Sequence, residues 1–482
     1  MKILLASSEV HPYSKSGGLA DMVGALGKWL GRAGHEVGVV TPLYRGILKR
    51  FPTMKKLDWA LDLPLGVSRV KGEVWTFEPS DGLTIYFIDQ PKFYDRAALY
   101  HENGADYSDN AQRFIFLSKC VVHLARYLPW KPEVVHVHDW QTGLVPVLMR
   151  HQKKVDAWQN VPGTCLTIHN LAYQGQFSRA DYGFTNLPLE YFNADGVEFY
   201  RQMNCLKAGI AYADTITAVS PRYAREITTT EFGCGLDGVL RKRADALTGI
   251  LNGVDYEEWN TTQNPSLKHP YSVDHLAGKT ANKLDLQSEV GLPRDEKIPL
   301  FANITRLVEQ KGVDIQLSAL EEMLAGDIQF VLLGSGNPQY EKAYQTLAQR
   351  FPTKIAVRIG FDQGLSHRIE AGADFFLMPS RYEPCGLNQM YSLRYGTIPI
   401  VRITGGLDDS VIDITEDEAS ANGIKFGEYS VRALTKGMRK ALALFQAPAL
   451  LDRYRNNAMR ANFSWELTAK SYLDIYRSVL GR

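Results

Sequence analysis

Short apolar runs alternate with helical patterns through two separate stretches of this 482-residue chain. A strand buried on both faces, followed by a helix that covers it, folds into a parallel sheet by right-handed crossovers, and few other architectures accept that pattern. In the first stretch the strands are expected from Lys2 to Ala6, His35 to Thr41, Leu83 to Asp89, Val134 to His138, Thr164 to His169 and Thr215 to Val219. Helices are expected from Leu19 to Gly31, with Gly34 as its stop, and from Asp109 to Tyr127. A second series begins near residue 296, with strands from Pro299, Ile328, Ile355, Phe375 and Ile398 and helices between them. The polar stretch Asn260 to Leu292, with Pro265 and Pro270, is read as lying at or just after the join. Three helices, broken at Gln446-Ala447-Pro448 and around Phe463-Ser464, end the chain.

A chain this long exceeds one comfortable core and suits two or three domains. The expected division is 1–255, 256–455 and a last helical segment 456–482 that could cross back to the first domain. A net charge of +1 gives no field that would gather nucleic acid or an anionic membrane surface. Five scattered cysteines, without a paired C-x-x-C spacing, read as reduced thiols and not as a disulfide framework or zinc site. The chain opens directly into a strand, and no run approaches the ~18 apolar residues of a membrane span. The expectation is a soluble, cytoplasmic protein.

Candidate chemistry gathers where strands end. Lys15-Ser16-Gly17-Gly18-Leu19-Ala20-Asp21 follows the first strand. Its glycine pair admits a close ligand, the helix start offers free amides, and Lys15 adds a mobile charge, all suited to a phosphate. The run is neither G-x-G-x-x-G nor a Walker loop, and taken alone it could be an ordinary turn. Arg306 and Lys311 follow the first strand of the second series, at the sheet edge where open α/β folds bind ligands. After the strand Phe375 to Met378 comes Glu383-Pro384-Cys385-Gly386-Leu387. Pro384 keeps Glu383 out of helical conformation, and the next residues open a helix with unsatisfied amides. A carboxylate beside amide donors can grip a hexose, or Glu383 can simply be a helix-start charge. Gly405-Gly406 repeats the glycine-pair device, or only turns the chain.

His136, His138 and Asp139 have the look of a metal site, but histidines ending a buried strand are ordinarily structural and no distant third ligand suggests itself. His169-Asn170 follows another strand and could face the same region.

The whole set resembles the starch and glycogen synthase family of retaining glucosyltransferases with GT-B architecture. The matching runs are Lys15 to Asp21, His138-Asp139-Trp140, His169 to Gly175, Val219-Ser220-Pro221 and Leu251 to Asp255. Arg306 to Gly312, Pro379 to Leu387, Tyr395-Gly396-Thr397 and Thr404 to Leu407 complete the series, in family order along essentially the whole chain. The resemblance implies two Rossmann-like domains facing a central cleft. It also implies glucose transfer from ADP-glucose to the non-reducing end of an α-1,4-glucan, without metal or other cofactor.

By matching motifs, Lys15 and Gly18 would contact the donor diphosphate, as would Arg306 and Lys311. Glu383 and the amides of Cys385, Gly386 and Leu387 would hold the glucose, with His169 beside it and Asp139 and Asn252 lining the same pocket. Gly405 and Gly406 would add close backbone to the donor, and Phe361 occupies the place where the family stacks a ring on adenine. Three positions depart from the commoner pattern. Tyr391 stands where many GT-B enzymes carry a ribose-binding glutamate, Asn388 where a threonine is common, and Asp408 is unfamiliar after Gly-Gly-Leu. No carboxylate is an obvious covalent nucleophile, so the expected route is front-face displacement. Another GT-B enzyme, such as a nucleotide-sugar 2-epimerase, or a non-catalytic glucan binder are the alternatives, and a dehydrogenase is disfavoured by the missing dinucleotide fingerprint.

Overall fold

A computed structural model describes residues 1–102 and 104–481. The chain forms two compact units. The first comprises residues 1–219 and 224–250 with the final helix Trp465–Leu480; the second comprises 251–464 with the short segment Ser220–Tyr223.

The first unit is built on a nine-stranded sheet. Its order is Leu247–Gly249, Thr215–Ala218, Gly163–Ile168, Val134–His138, Lys2–Ala6, Glu36–Pro42, Leu83–Asp89, Ser68–Ser80 and Lys55–Leu65. All pairs from Leu247–Gly249 to Leu83–Asp89 are parallel, and the last two strands extend the sheet as an antiparallel hairpin. The helix Gly18–Arg32 buries Leu19, Met22, Val23, Leu26 and Leu30, the three-and-four spacing of one helix face. Tyr476 and Val479 seat the final helix on this unit: the Tyr476 hydroxyl lies 2.7 Å from His136 Nδ1, and Val479 Cγ1 lies 2.2 Å from where a Cβ on Gly163 would stand.

The second unit holds a six-stranded parallel sheet ordered Ile355–Ile359, Gln329–Gly334, Leu300–Ile304, Phe375–Met378, Ile398–Arg402 and Ile424–Phe426. Alternate residues face opposite cores, as strand geometry requires. Phe301, Phe330, Leu332 and Phe375 pack under the helices Val313–Met323 and Val431–Phe445, while Leu300, Ala302, Val331 and Phe376 pack against Ala277–Val290 and Gln363–Gly372.

Three boundaries differ from the sequence expectation. The units part at Ile250/Leu251, not 255/256, because Val254 pairs with Ser464 inside the second unit. The helix Pro448–Arg460 stays with the second unit, so only the segment after Ser464 returns to the first. The stretch read as a polar join contains the helix Ala277–Val290, whose Lys279, Asn282, Lys283 and Gln287 are buried. Lys283 reaches Asp374 at 2.6 Å, and Arg455 holds the same carboxylate at 2.9 Å. Among the described residues no helix is long and apolar enough to cross a membrane, and all five cysteines are free.

Candidate active site

Each sheet reverses its winding once, and in each unit chemistry-bearing loops sit at the carboxyl edge by its own reversal, where open α/β sheets bind ligands. In the first unit the reversal lies between Lys2–Ala6 and Val134–His138, which pair with Ala6 beside Val137. Their loops carry Lys15 and Asp139, and the next strand, Gly163–Ile168, delivers His169.

The Lys15 loop is held from beneath by the buried Glu9. Its carboxylate accepts from the Ser16 hydroxyl at 2.6 Å, from the Ser16 amide, and from the Tyr100 hydroxyl at 2.5 Å. Lys15 itself is exposed and paired with Asp21 at 2.8 Å, within the first helical turn. Gly18 is exposed at the start of that helix.

Asp139 is buried and stands at φ 55°, a left-handed conformation that a residue with a Cβ adopts at a cost of ~1–2 kcal/mol. Its Oδ1 accepts the His169 amide at 2.7 Å. Burial pushes the carboxyl up to about 7, against the opposing pull of the His169 and Asn170 amides. His169 Nε2 meets His138 Nδ1 at 3.1 Å. Burial holds the His169 imidazole down, to about 3, and that of His136 likewise. His136 spends both ring nitrogens on hydroxyls, Tyr476 at 2.7 Å and Thr167 at 2.6 Å. Among the described residues no group of three or more His, Cys, Asp or Glu side chains is placed to hold a metal ion.

In the second unit the reversal lies between Leu300–Ile304 and Phe375–Met378. Arg306, just past the first of these strands, is exposed and makes no ion pair among the described residues. Lys311 is paired: its Nζ lies 2.6 Å from Glu383 Oε2, which leaves two of its three donors for a phosphate. Ser380 donates to the same oxygen at 3.1 Å, and Glu383 Oε1 has no partner among the described residues. Glu383 is buried, so removing its partner would strand a charge at a cost on the order of 3–5 kcal/mol. The helix begins at Asn388, one residue after the expected Leu387, and the amides of Cys385, Gly386 and Leu387 precede it with no acceptor among the described residues.

The glycine pair Gly405-Gly406 has a structural reason that the sequence did not reveal. A Cβ on Gly405, at φ 44°, would stand 1.9 Å from the Glu383 carbonyl oxygen, and one on Gly406 would stand 2.1 Å from that of Cys385. The Gly406 amide donates to the Glu383 and Pro384 carbonyls, both at 3.2 Å. The pair therefore seats the Glu383 loop, and any contact with a donor is additional.

Three further residues clamp these loops. Asn388 donates its side-chain amide to the Ile304 carbonyl at 2.6 Å, joining the loop after one strand to the helix after another. Ser220, in the run Val219-Ser220-Pro221 whose local pattern gives it no distant partner, donates to the Pro384 carbonyl at 2.7 Å. Asp408 pairs with Lys425 at 2.8 Å, a structural bond. Tyr391 stacks on Trp259 at 3.6 Å with 5° between the planes, so an aromatic pair fills the place where a ribose carboxylate was looked for. Asn252 is buried with its side-chain oxygen unpartnered. Phe361 is 81% exposed, a large ring left in solvent just past the strand Ile355–Ile359.

The family description "Starch synthase catalytic domain" matches residues 2–242, and "Glycosyl transferases group 1" matches 287–460. The glycogen synthase of Anaeromyxobacter sp. (strain Fw109-5) is 47% identical over 481 residues, covering 99% of each chain. The chain belongs to the glycogen synthase family. Another member, the glycogen synthase of Syntrophotalea carbinolica, is 42% identical over 480 residues, covering 100% of this chain and 99% of its own. The catalytic domain of starch synthase IV from Arabidopsis thaliana, solved bound to ADP and acarbose, superposes with a TM-score of 0.90 at 32% identity, covering 100% of this chain and 99% of that one. Membership fixes the GT-B architecture and glycosyl transfer as the class of chemistry. The sucrose-phosphate synthase of Thermosynechococcus elongatus, at 18% identity and a TM-score of 0.62, shares the fold alone.

Proposed function

We propose that this member of the glycogen synthase family transfers glucose from ADP-glucose to the non-reducing end of an α-1,4-glucan, with retention at the anomeric carbon. One observation carries the reading. Glu383 commits Oε2 to Lys311 and Ser380 while Oε1 and the amides of Cys385, Gly386 and Leu387 stay open, an acceptor beside donors as a hexose requires. Arg306 and Lys311 take the diphosphate, as do Lys15 and the Gly18 backbone. Asp139, Asn252 and His169 face the sugar, and Phe361 stacks on the adenine.

The anomeric carbon breaks its bond to the diphosphate oxygen and forms one to the acceptor hydroxyl on the same face. The acceptor proton passes to the departing phosphate oxygen. Charge grows on the leaving group, and fixed cations stabilise it more than mobile water can. The reaction then needs no metal and no other cofactor, and the free cysteines suit a cytoplasmic setting.

The test is incubation with radiolabelled ADP-glucose and glycogen, followed by β-amylase digestion of the polymer. All incorporated label should leave as maltose, since that enzyme releases it from α-1,4-linked non-reducing ends. Consumption of the donor without label in polymer would point to another reaction of the same architecture.

A further inference from the structure

Among the buried polar groups that the proposed mechanism leaves unused, His138 is tied directly to the ring of a site residue. It is fully buried at the end of Val134–His138, and its Nδ1 lies 3.1 Å from His169 Nε2. Its other nitrogen, Nε2, is buried without a hydrogen-bond partner among the described residues. Burial pushes both imidazoles toward the neutral form, in which each ring carries one N–H. The single contact between them then admits two arrangements.

In one, His138 carries its proton on Nε2. That leaves a donor buried with no acceptor, a rare arrangement in folded proteins, while Nδ1 accepts from His169. In the other, His138 Nδ1–H donates to His169 Nε2, and only a lone pair of His138 goes unsatisfied. The second leaves no fully buried N–H orphaned, because His169 is only half-buried. It also forces the proton of His169 onto Nδ1, which has no partner among the described residues.

We propose that His138 is a positioning residue that fixes the tautomer of His169, so that His169 presents an Nδ1–H donor to an oxygen of the transferred sugar. A partner on one ring nitrogen sets the state of the other, as it does for the histidines of metal sites and catalytic triads. The sugar-facing half of this inference rests on the function proposed above; the tautomer does not.

The experiment uses the full chain carrying 15N-labelled histidine, with the His169 signals assigned by their loss in His169→Ala. Long-range proton–nitrogen correlation should show a protonated Nδ1 and a bare Nε2. His138→Asn keeps an N–H donor where Nδ1 stood and should preserve both that signature and most turnover. His138→Leu removes the donor. Protonated Nε2 should then appear on His169, and kcat should fall by up to about 10²-fold, the size of a lost transition-state donor, with less change in KM. Should His138→Leu fail to fold, the wild-type and His138→Asn spectra decide alone. A wild-type His169 protonated on Nε2, or a spectrum indifferent to His138→Leu, overturns the proposal. A tautomer as stated with transfer unaffected by its loss keeps the assignment and removes His169 from the sugar site.

Discussion

The two units solve the same placement problem with opposite chemistry. Both put their site loops at the carboxyl edge of a parallel sheet where the winding reverses. In the second unit the loops are locked by close backbone approach and by charge, through Gly405 against Glu383 and Lys311 against its carboxylate. In the first, the loop that carries His169 follows a strand packed by buried neutral groups, with imidazoles and hydroxyls linked in the series Tyr476, His136, Thr167 and Thr217, while the Lys15 loop rests on the Glu9 carboxylate. Even Asp139 is driven by burial toward its neutral form. The difference teaches that a loop locked by charge and close backbone and a loop packed by buried neutral groups fail under different perturbations. Fixed charge must be balanced by a partner, as Lys311 is, whereas bonds between buried neutral groups are not screened by salt.

The largest effect expected to break this comparison is at the charged pair. Glu383→Ala should lower turnover by 10²-fold or more, at least about 2.7 kcal/mol of transition-state stabilisation. It also leaves Lys311 unpaired, so Glu383→Gln should lose most activity with less loss of stability. A folded Glu383→Ala that retains most of its activity would remove the sugar-grip assignment.

Glycines sharpen the contrast between the units. Gly405→Ala must drive a Cβ into the Glu383 carbonyl and should cost on the order of 1–3 kcal/mol by urea denaturation, with activity falling alongside. Gly17→Ala meets nothing within 4 Å, so its stability should stay within about 0.5 kcal/mol. Equal costs at the two positions would mean that the Glu383 loop is not seated as described.

Phe361→Ala should raise KM for the donor by the equivalent of about 1–3 kcal/mol while changing kcat less, because ring stacking is binding remote from the reacting bond. An unchanged KM places the adenine elsewhere.

Both sheets were legible because their strands are apolar runs broken by helix-period segments, and the strands Lys2–Ala6, Leu83–Asp89 and Phe375–Met378 fall where expected. The helix Ala277–Val290 was not, since it buries lysines whose partners, Asp374 and Thr397, lie far along the chain. Polarity therefore hid a core element. The hairpin Lys55–Leu65 and Ser68–Ser80 was missed although Leu57, Trp59, Leu61, Leu63 and Leu65 alternate with period two, a signal available for the asking. For the site, residue types at strand ends pointed to the right loops. What no local pattern could disclose is contact across 72 residues, such as Lys311 on Glu383, or that Gly405 serves the Glu383 loop.

The smallest expected effect is an absence of titration. His136 and His169 have pKa values depressed to about 3, so their NMR signals should stay still between about pH 8 and 5. The unfolded chain takes up those protons near pH 6.5, so this contribution to stability is present above about 6.5 and is lost as pH falls toward 3. Signals that move near pH 6.5 would mean that these rings are not desolvated and that the contrast between the units is weaker than argued.

The central claim is that this chain builds glucan from ADP-glucose with protein cations in place of a metal. The most direct measurement is incorporation of labelled glucose into glycogen in excess EDTA, with wild type beside Arg306→Ala. Undiminished incorporation by wild type and a deep loss in Arg306→Ala is the predicted result. Incorporation that vanishes with EDTA and returns with magnesium or manganese, or that is indifferent to Arg306, would contradict it.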